Sequence, residues 1–129
     1  MVRRILSVYI ITAILITLAT TEVIWVKNVN KTLLNDINML NQLTIENKEN
    51  LTTILPKVDN IKSAWDKKEP ILCLMFNHKD LSAITDNLAL YRAYVFNNDY
   101  DNAIAQISLL IEYAEKNDHV MGFNIQNLL

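Results

Sequence analysis

The side chains best suited to chemistry lie close together in the middle of the chain, around the single cysteine, Cys73, and one of the two histidines, His78. A thiol beside an imidazole can act as a nucleophile–base pair. His78 with Asp80 could also form half of a metal site, with Glu69 or Asp66 nearby, which makes a ligand- or metal-binding sensor domain one possible function.

Simpler roles explain the same residues. Cys73 lies in the apolar run 71–76, where a cysteine is usually a small buried hydrophobic residue. His78 and Asp80 are two residues apart, and side chains with that spacing do not face each other on a helix. We therefore expect no catalytic residue, no metal and no cofactor.

The composition excludes several classes of site. The 129 residues include one glycine, two prolines and one cysteine. A phosphate-binding loop needs glycines, and a structural zinc site or a disulfide needs more cysteines. From Asn28 onward the chain carries 9 basic and 13 acidic side chains, a balance unsuited to nucleic acid. A non-enzymatic role is therefore predicted.

The N-terminal segment predicts a membrane anchor. The segment Ile5–Thr21 is uncharged, and after Glu22 the apolar run continues to Val26. At about 1.5 Å per residue, residues 5–26 reach roughly 33 Å, which is enough to cross a lipid bilayer. Trp25 and Lys27 are residue types that anchor a helix at the interface.

Two arginines predict the orientation of this anchor. Basic residues flanking a hydrophobic helix stay in the cytoplasm, so Arg3 and Arg4 place residues 28–129 outside. We predict a cell-membrane protein with a single-pass anchor at residues 1–27 and an extracytoplasmic domain at 28–129. The alternative is a signal peptide cleaved after Ala19, which also exports the domain.

The remainder of the chain predicts helices. Four stripes of apolar residues recur every three or four positions, typical of amphipathic helices. An all-α fold follows, in which the membrane helix leads into an antiparallel bundle of about four helices. The stripes are Val29, Leu33, Ile37, Leu40 and Leu43; Leu51, Leu55, Val58, Ile61 and Trp65; Leu81, Ile84, Leu88, Tyr91 and Val95; and Ala103, Ile107, Leu110, Ile111 and Ala114.

Polar residues and prolines predict where these helices begin and end. Asn77 with Asp80 resembles a capping box, and Asp99 is a suitable cap for the last helix. The second helix should be capped by Thr52 or Thr53 and end before Pro70, and the last should stop near Asn117. The segment 71–76 is expected to be buried, and 119–129 to form a short helix or an ordered tail.

Several of these segments together resemble a known family. The basic N-terminus and anchor are followed by Trp65, by Lys68-Glu69-Pro70, by the segment 76–81 and by Asn87-Leu88-Ala89-Leu90-Tyr91. Over essentially the whole chain this is similar to the domain of unknown function 4363 family, small anchored helical proteins of Gram-positive spore-forming bacteria.

The resemblance implies an outer helical domain that works beside another membrane or envelope protein, and it implies no activity. The positions that it singles out as candidate interaction or family-motif residues are Trp65, Pro70, Phe76, His78 and Asp80. Trp65 is expected to fill the core, the alternative being an exposed anchor for a partner. Our functional expectation is protein–protein interaction by this outer domain.

Overall fold

The computed structural model describes the backbone of residues 2–46 and 51–126, and the side chains of 4–46 and 51–116. It contains four helices: α1 (Val2–Glu46), α2 (Leu51–Leu72), α3 (His78–Phe96) and α4 (Tyr100–Gln126). No strand occurs in these described ranges. The all-α prediction is therefore confirmed.

The first helix joins the two parts of the chain that the sequence distinguishes. α1 is continuous over 45 residues, with no break near the predicted boundary at residue 27. Side chains 4–22 are exposed, and burial begins at Val26. One continuous helix thus carries a bare apolar half and a packed half.

The packed half of α1 forms a helical bundle with the other three helices. α1 packs against α2 and α4, and α3 packs against the same two helices. α1 and α3 therefore face each other across the core. Most positions of the four predicted stripes are buried, including all five on α3. Ile54 of α2, which was not in the predicted stripe, is also buried in the core. The stripe positions that are only partly buried, at the edge of the core, are Leu43, Leu51, Leu55 and Ile111.

One polar contact crosses the core near the C-terminal ends of α1 and α3. The Tyr91 hydroxyl of α3 lies 2.5 Å from Thr44 Oγ1 of α1. Thr44 donates its own proton to the Leu40 carbonyl at 2.7 Å, so Tyr91 is the donor in the shared bond. Burial raises the pKa of the Tyr91 hydroxyl, which keeps the group protonated and able to donate.

Other polar side chains connect neighbouring helices. Buried Asn30 donates to the Ala114 carbonyl at 3.4 Å, which joins α1 to α4. Gln106 of α4 donates to Asn87 of α3. On the surface, Arg92 forms a two-point ion pair with Asp59, and this hydrogen bond lowers the pKa of the Asp59 carboxyl.

The caps of α3 and α4 follow the sequence prediction. Asn77 precedes α3, and its side chain accepts from the Lys79 amide at 3.0 Å. Asp99 precedes α4, and its carboxylate accepts from the Asn102 amide at 3.3 Å. Each cap satisfies a backbone donor that has no partner within its helix.

Other predicted boundaries were wrong. α2 passes through Pro70 and ends at Leu72. A proline in the last turn costs only its own backbone N–H hydrogen bond. The bond from the Cys73 amide to the Glu69 carbonyl still forms, at 2.8 Å. α2 also includes Thr52 and Thr53, so neither is its cap. α4 continues past Asn117 to Gln126, because no proline interrupts it.

The prediction that the segment 71–76 is buried holds only in part. Leu72 is buried, whereas Ile71 is half exposed and Leu74 is 85% exposed. A turn at the corner between two helices can direct only some of its side chains into the core.

The turn between α3 and α4 is closed by a Schellman motif. The Asp99 amide donates to the Tyr94 carbonyl at 2.9 Å and the Asn98 amide to the Val95 carbonyl at 3.1 Å. This arrangement gives Asn98 a φ of 59°. Asparagine tolerates that left-handed conformation better than any residue except glycine.

We expect Asn98→Ala to lower the free energy of unfolding by about 1 kcal/mol, because a Cβ without a compensating polar group is unfavourable at positive φ. Asn98→Gly should leave stability unchanged or raise it slightly. Urea unfolding followed by circular dichroism measures both. If the alanine and glycine variants are equally stable, then the positive φ at residue 98 does not have the expected energetic cost.

Candidate functional site

The corner between α2 and α3 brings the chemically active residues together. The connection spans residues 73–77, and it is held tight by bonds from the Met75 and Phe76 amides to the Leu72 carbonyl, each 2.9 Å long. Asn77 then caps α3, so His78 is its first residue. The chain thereby reverses within a few residues and returns His78 to the end of α2.

Three different ligand-bearing side chains converge at this corner. Cys73 directly follows α2, and its amide continues the helical bonding to the Glu69 carbonyl, so these two residues, four apart, lie on one face. Cys73 Sγ lies 3.2 Å from His78 Nδ1. A Glu69 carboxylate oxygen, Cys73 Sγ and a ring nitrogen of His78 all lie within 4.8 Å of one another.

A hydrogen-bonded chain from the core holds the carboxylate in place. The Trp65 indole donates to Thr85 Oγ1 at 2.9 Å. Thr85 in turn donates to Glu69 Oε2 at 2.7 Å. Trp65 is buried and Thr85 lies on α3, so the orientation of Glu69 depends on the packing of both helices.

The arrangement is accessible from solvent. Glu69 and Cys73 are half-buried and His78 is exposed. A thiol, an imidazole and a carboxylate can together bind a divalent metal ion, or the thiol and imidazole can simply share a hydrogen bond.

The residues singled out by the sequence occupy different environments. Trp65 is buried, as the core interpretation predicted, Phe76 is half-buried, and Pro70, His78 and Asp80 are exposed. The converging group within the described residues contains His78 with Glu69 and Cys73, and Asp80 is outside it. The pairing of His78 with Asp80, which the sequence suggested as half of a metal site and which their spacing disfavoured, does not occur in this group.

The residues predicted to lie at the membrane interface are on α1. Trp25 is partly buried against the core, while Lys27 and Arg4 are exposed. The side chain of Arg3 lies outside the described residues. Trp25 directly precedes Val26, the first buried residue of α1.

Sequence reasoning missed Thr85. A single threonine on a helix carries no signal that it bridges a tryptophan and a glutamate on another helix. The Cys73–His78 proximity was considered from the sequence, and the structure brings the two together.

Comparison with known proteins gives one finding. A protein-family model described as a domain of unknown function, DUF4363, matches residues 21–128. No curated protein and no solved structure matches the chain. The match begins close to the end of the exposed apolar half of α1 and includes the whole bundle.

Proposed function

The chain belongs to the DUF4363 family, and we propose that this member is a membrane-anchored, non-enzymatic envelope protein whose outer helical domain binds another membrane or envelope protein. The observation that carries the proposal is the bare apolar half of α1, which belongs to the same continuous helix as the half that packs in the bundle.

The exposed half of α1 has the properties of a membrane-spanning helix. It is long and apolar enough to cross a bilayer, with a mean hydropathy of 1.9 in its most apolar stretch, none of which is buried. Its large apolar side chains are exposed on all sides, among them Ile5, Leu6, Tyr9, Ile10, Ile14, Leu15 and Leu18. Such a surface is unfavourable in water, and lipid is the solvent that suits it.

The polar side chains of this segment are compatible with lipid. Thr12, Thr17, Thr20 and Thr21 each donate their hydroxyl proton to a carbonyl of the preceding helical turn. Donors in a bilayer must be satisfied within the protein, because no water is available there. The hydroxyl groups of these threonines therefore meet that requirement.

The same end of the bundle offers a second contact with the membrane. Trp65 and Lys68 of α2 line a small cleft with Val29 and Thr32 of α1, so the end of α2 extends towards the anchor. Leu74 lies farther along in this direction and is 85% exposed. If the helices of the bundle are roughly perpendicular to the membrane, the turn at residues 73–77 contacts the membrane interface.

The opposite end of the bundle is the surface that we assign to the partner. Thr44 and Tyr91 are in contact there, and just beyond them Ile45 is 54% exposed and Phe96 is 61% exposed. Large apolar side chains at an exposed end are typical anchors of protein interfaces. The anchor would hold this end at a fixed height above the membrane.

A photo-crosslinking amino acid placed at residue 96 of the full-length protein tests the partner surface in cells. We expect one adduct with a second membrane or envelope protein. The matched control is the same substitution at Asp86, which is exposed on the same helix.

An adduct that forms at residue 96 and is much weaker at residue 86 supports the proposal. Absence of any adduct at residue 96, equal labelling at the two positions, or an adduct only with a second copy of this chain would contradict it.

A further inference from the structure

We propose that Glu69, Cys73 and His78 form a binding site for one thiophilic divalent cation of the Zn²⁺ class, with one coordination position open to solvent. The inference goes beyond the proposed anchoring and partner binding and does not depend on them.

The ligand types select the class of metal. A thiolate and an imidazole favour Zn²⁺ over Mg²⁺ or Ca²⁺, which prefer oxygen ligands only. Zinc also accepts a carboxylate, and three protein ligands with an open fourth position is a common arrangement. Here each ligand type is supplied once.

The distances leave little rearrangement to be made. With bonds of about 2.3 Å to sulfur and about 2.1 Å to nitrogen, a tetrahedral zinc ion sets its sulfur and nitrogen ligands about 3.6 Å apart. Cys73 Sγ and His78 Nδ1 are 3.2 Å apart, so a small side-chain rotation admits the ion. The Glu69 oxygen is within 4.8 Å of both, and small movements of the Cys73 and His78 side chains bring the three atoms to the spacing that one ion sets.

Hydrogen bonds from Thr85 and Trp65 orient the carboxylate of the proposed site. Metal-binding carboxylates are usually oriented by hydrogen bonds from further residues, which raise metal affinity. Thr85 donates to Glu69 Oε2, and the buried Trp65 indole fixes the Thr85 hydroxyl by donating to it. One carboxylate oxygen is thus held while the other can bind the ion.

Direct titration tests the site. The full-length, untagged protein in detergent micelles, reduced and freed of metal with a chelator, is titrated with Zn²⁺ and separately with Co²⁺. We expect one Zn²⁺ per chain, a higher Tm, and a thiolate-to-cobalt charge-transfer band. Cys73→Ser should remove that band, and His78→Ala should abolish tight Zn²⁺ binding.

Thr85→Val tests the supporting hydrogen bond. We expect about 10–100-fold weaker Zn²⁺ binding, because Glu69 is no longer oriented. His119→Ala is the matched histidine control and should bind as the unchanged protein does. Circular dichroism of each metal-free variant establishes that it is folded, and Cys73→Ala replaces Cys73→Ser if the serine variant is not.

Three results would overturn the proposal. The first is that the unchanged protein binds no Zn²⁺. The second is that Cys73→Ser and His78→Ala bind Zn²⁺ as tightly as His119→Ala does. The third is that the protein binds Mg²⁺ or Ca²⁺ more tightly than Zn²⁺.

Discussion

Replacing Tyr91 by alanine is expected to lower the free energy of unfolding of the bundle by about 3–5 kcal/mol. Tyr91 is the largest fully buried side chain in the described structure, and it reaches from α3 to α1 across the core. Its removal leaves a cavity in the core between α1 and α3. Since a domain of this size is stable by only about 5–15 kcal/mol, the variant should be close to unfolding.

Tyr91→Phe separates packing from hydrogen bonding. The ring stays, and Thr44 keeps its own bond to the Leu40 carbonyl, so the expected loss is only about 1 kcal/mol. Chemical denaturation of the three proteins in the same detergent measures both differences. A phenylalanine variant as unstable as the alanine variant would show that the hydroxyl, rather than the ring, holds the core together.

Placing an arginine at Leu15 is expected to weaken membrane insertion of α1 by about 3–4 kcal/mol, because a favourable leucine is replaced by an unfavourable arginine. Leu15 is 60% exposed and lies in the middle of the uncharged segment, far from either interface. A charge at that depth loses its hydration, and the expected change is roughly 100–1,000-fold in the insertion equilibrium. The measurement is the inserted fraction after synthesis in the presence of membranes, separated by alkaline extraction.

Leu109→Arg is the matched control for this experiment. Leu109 is 41% exposed on α4, within the bundle that we place in water. The arginine there should leave the inserted fraction unchanged. If Leu15→Arg inserts as well as Leu109→Arg, then α1 does not cross the bilayer at this segment, and the proposed anchor is wrong.

The sequence was sufficient to identify the helices and most of the core. Leu81, Ile84, Leu88, Tyr91 and Val95 recur at helical spacing, and all five are buried. The capping roles of Asn77 and Asp99 were also readable. These features depend on residues close together in the chain, and local spacing is enough to predict them.

Helix ends that depend on a competition between local and distant contacts could not be predicted from local spacing. Pro70 usually ends a helix, yet α2 continues to Leu72, which is buried in the core. The packing of that last turn offsets the loss of one backbone hydrogen bond. A propensity rule cannot evaluate such a balance, because the packing partners lie on other helices.

For the cluster of Glu69, Cys73 and His78, the sequence predicted some features and the tertiary structure decided others. Residue types and spacing directed attention to Cys73 and His78, and they also suggested Asp80 as the partner of the histidine. The turn over residues 73–77 and the chain from Trp65 through Thr85 decided instead that Glu69 faces the other two. Sequence by itself determined which groups were available and which helices carry them. Only the tertiary structure decided which of them meet, because side-chain distances across a helix corner depend on how two separate helices pack.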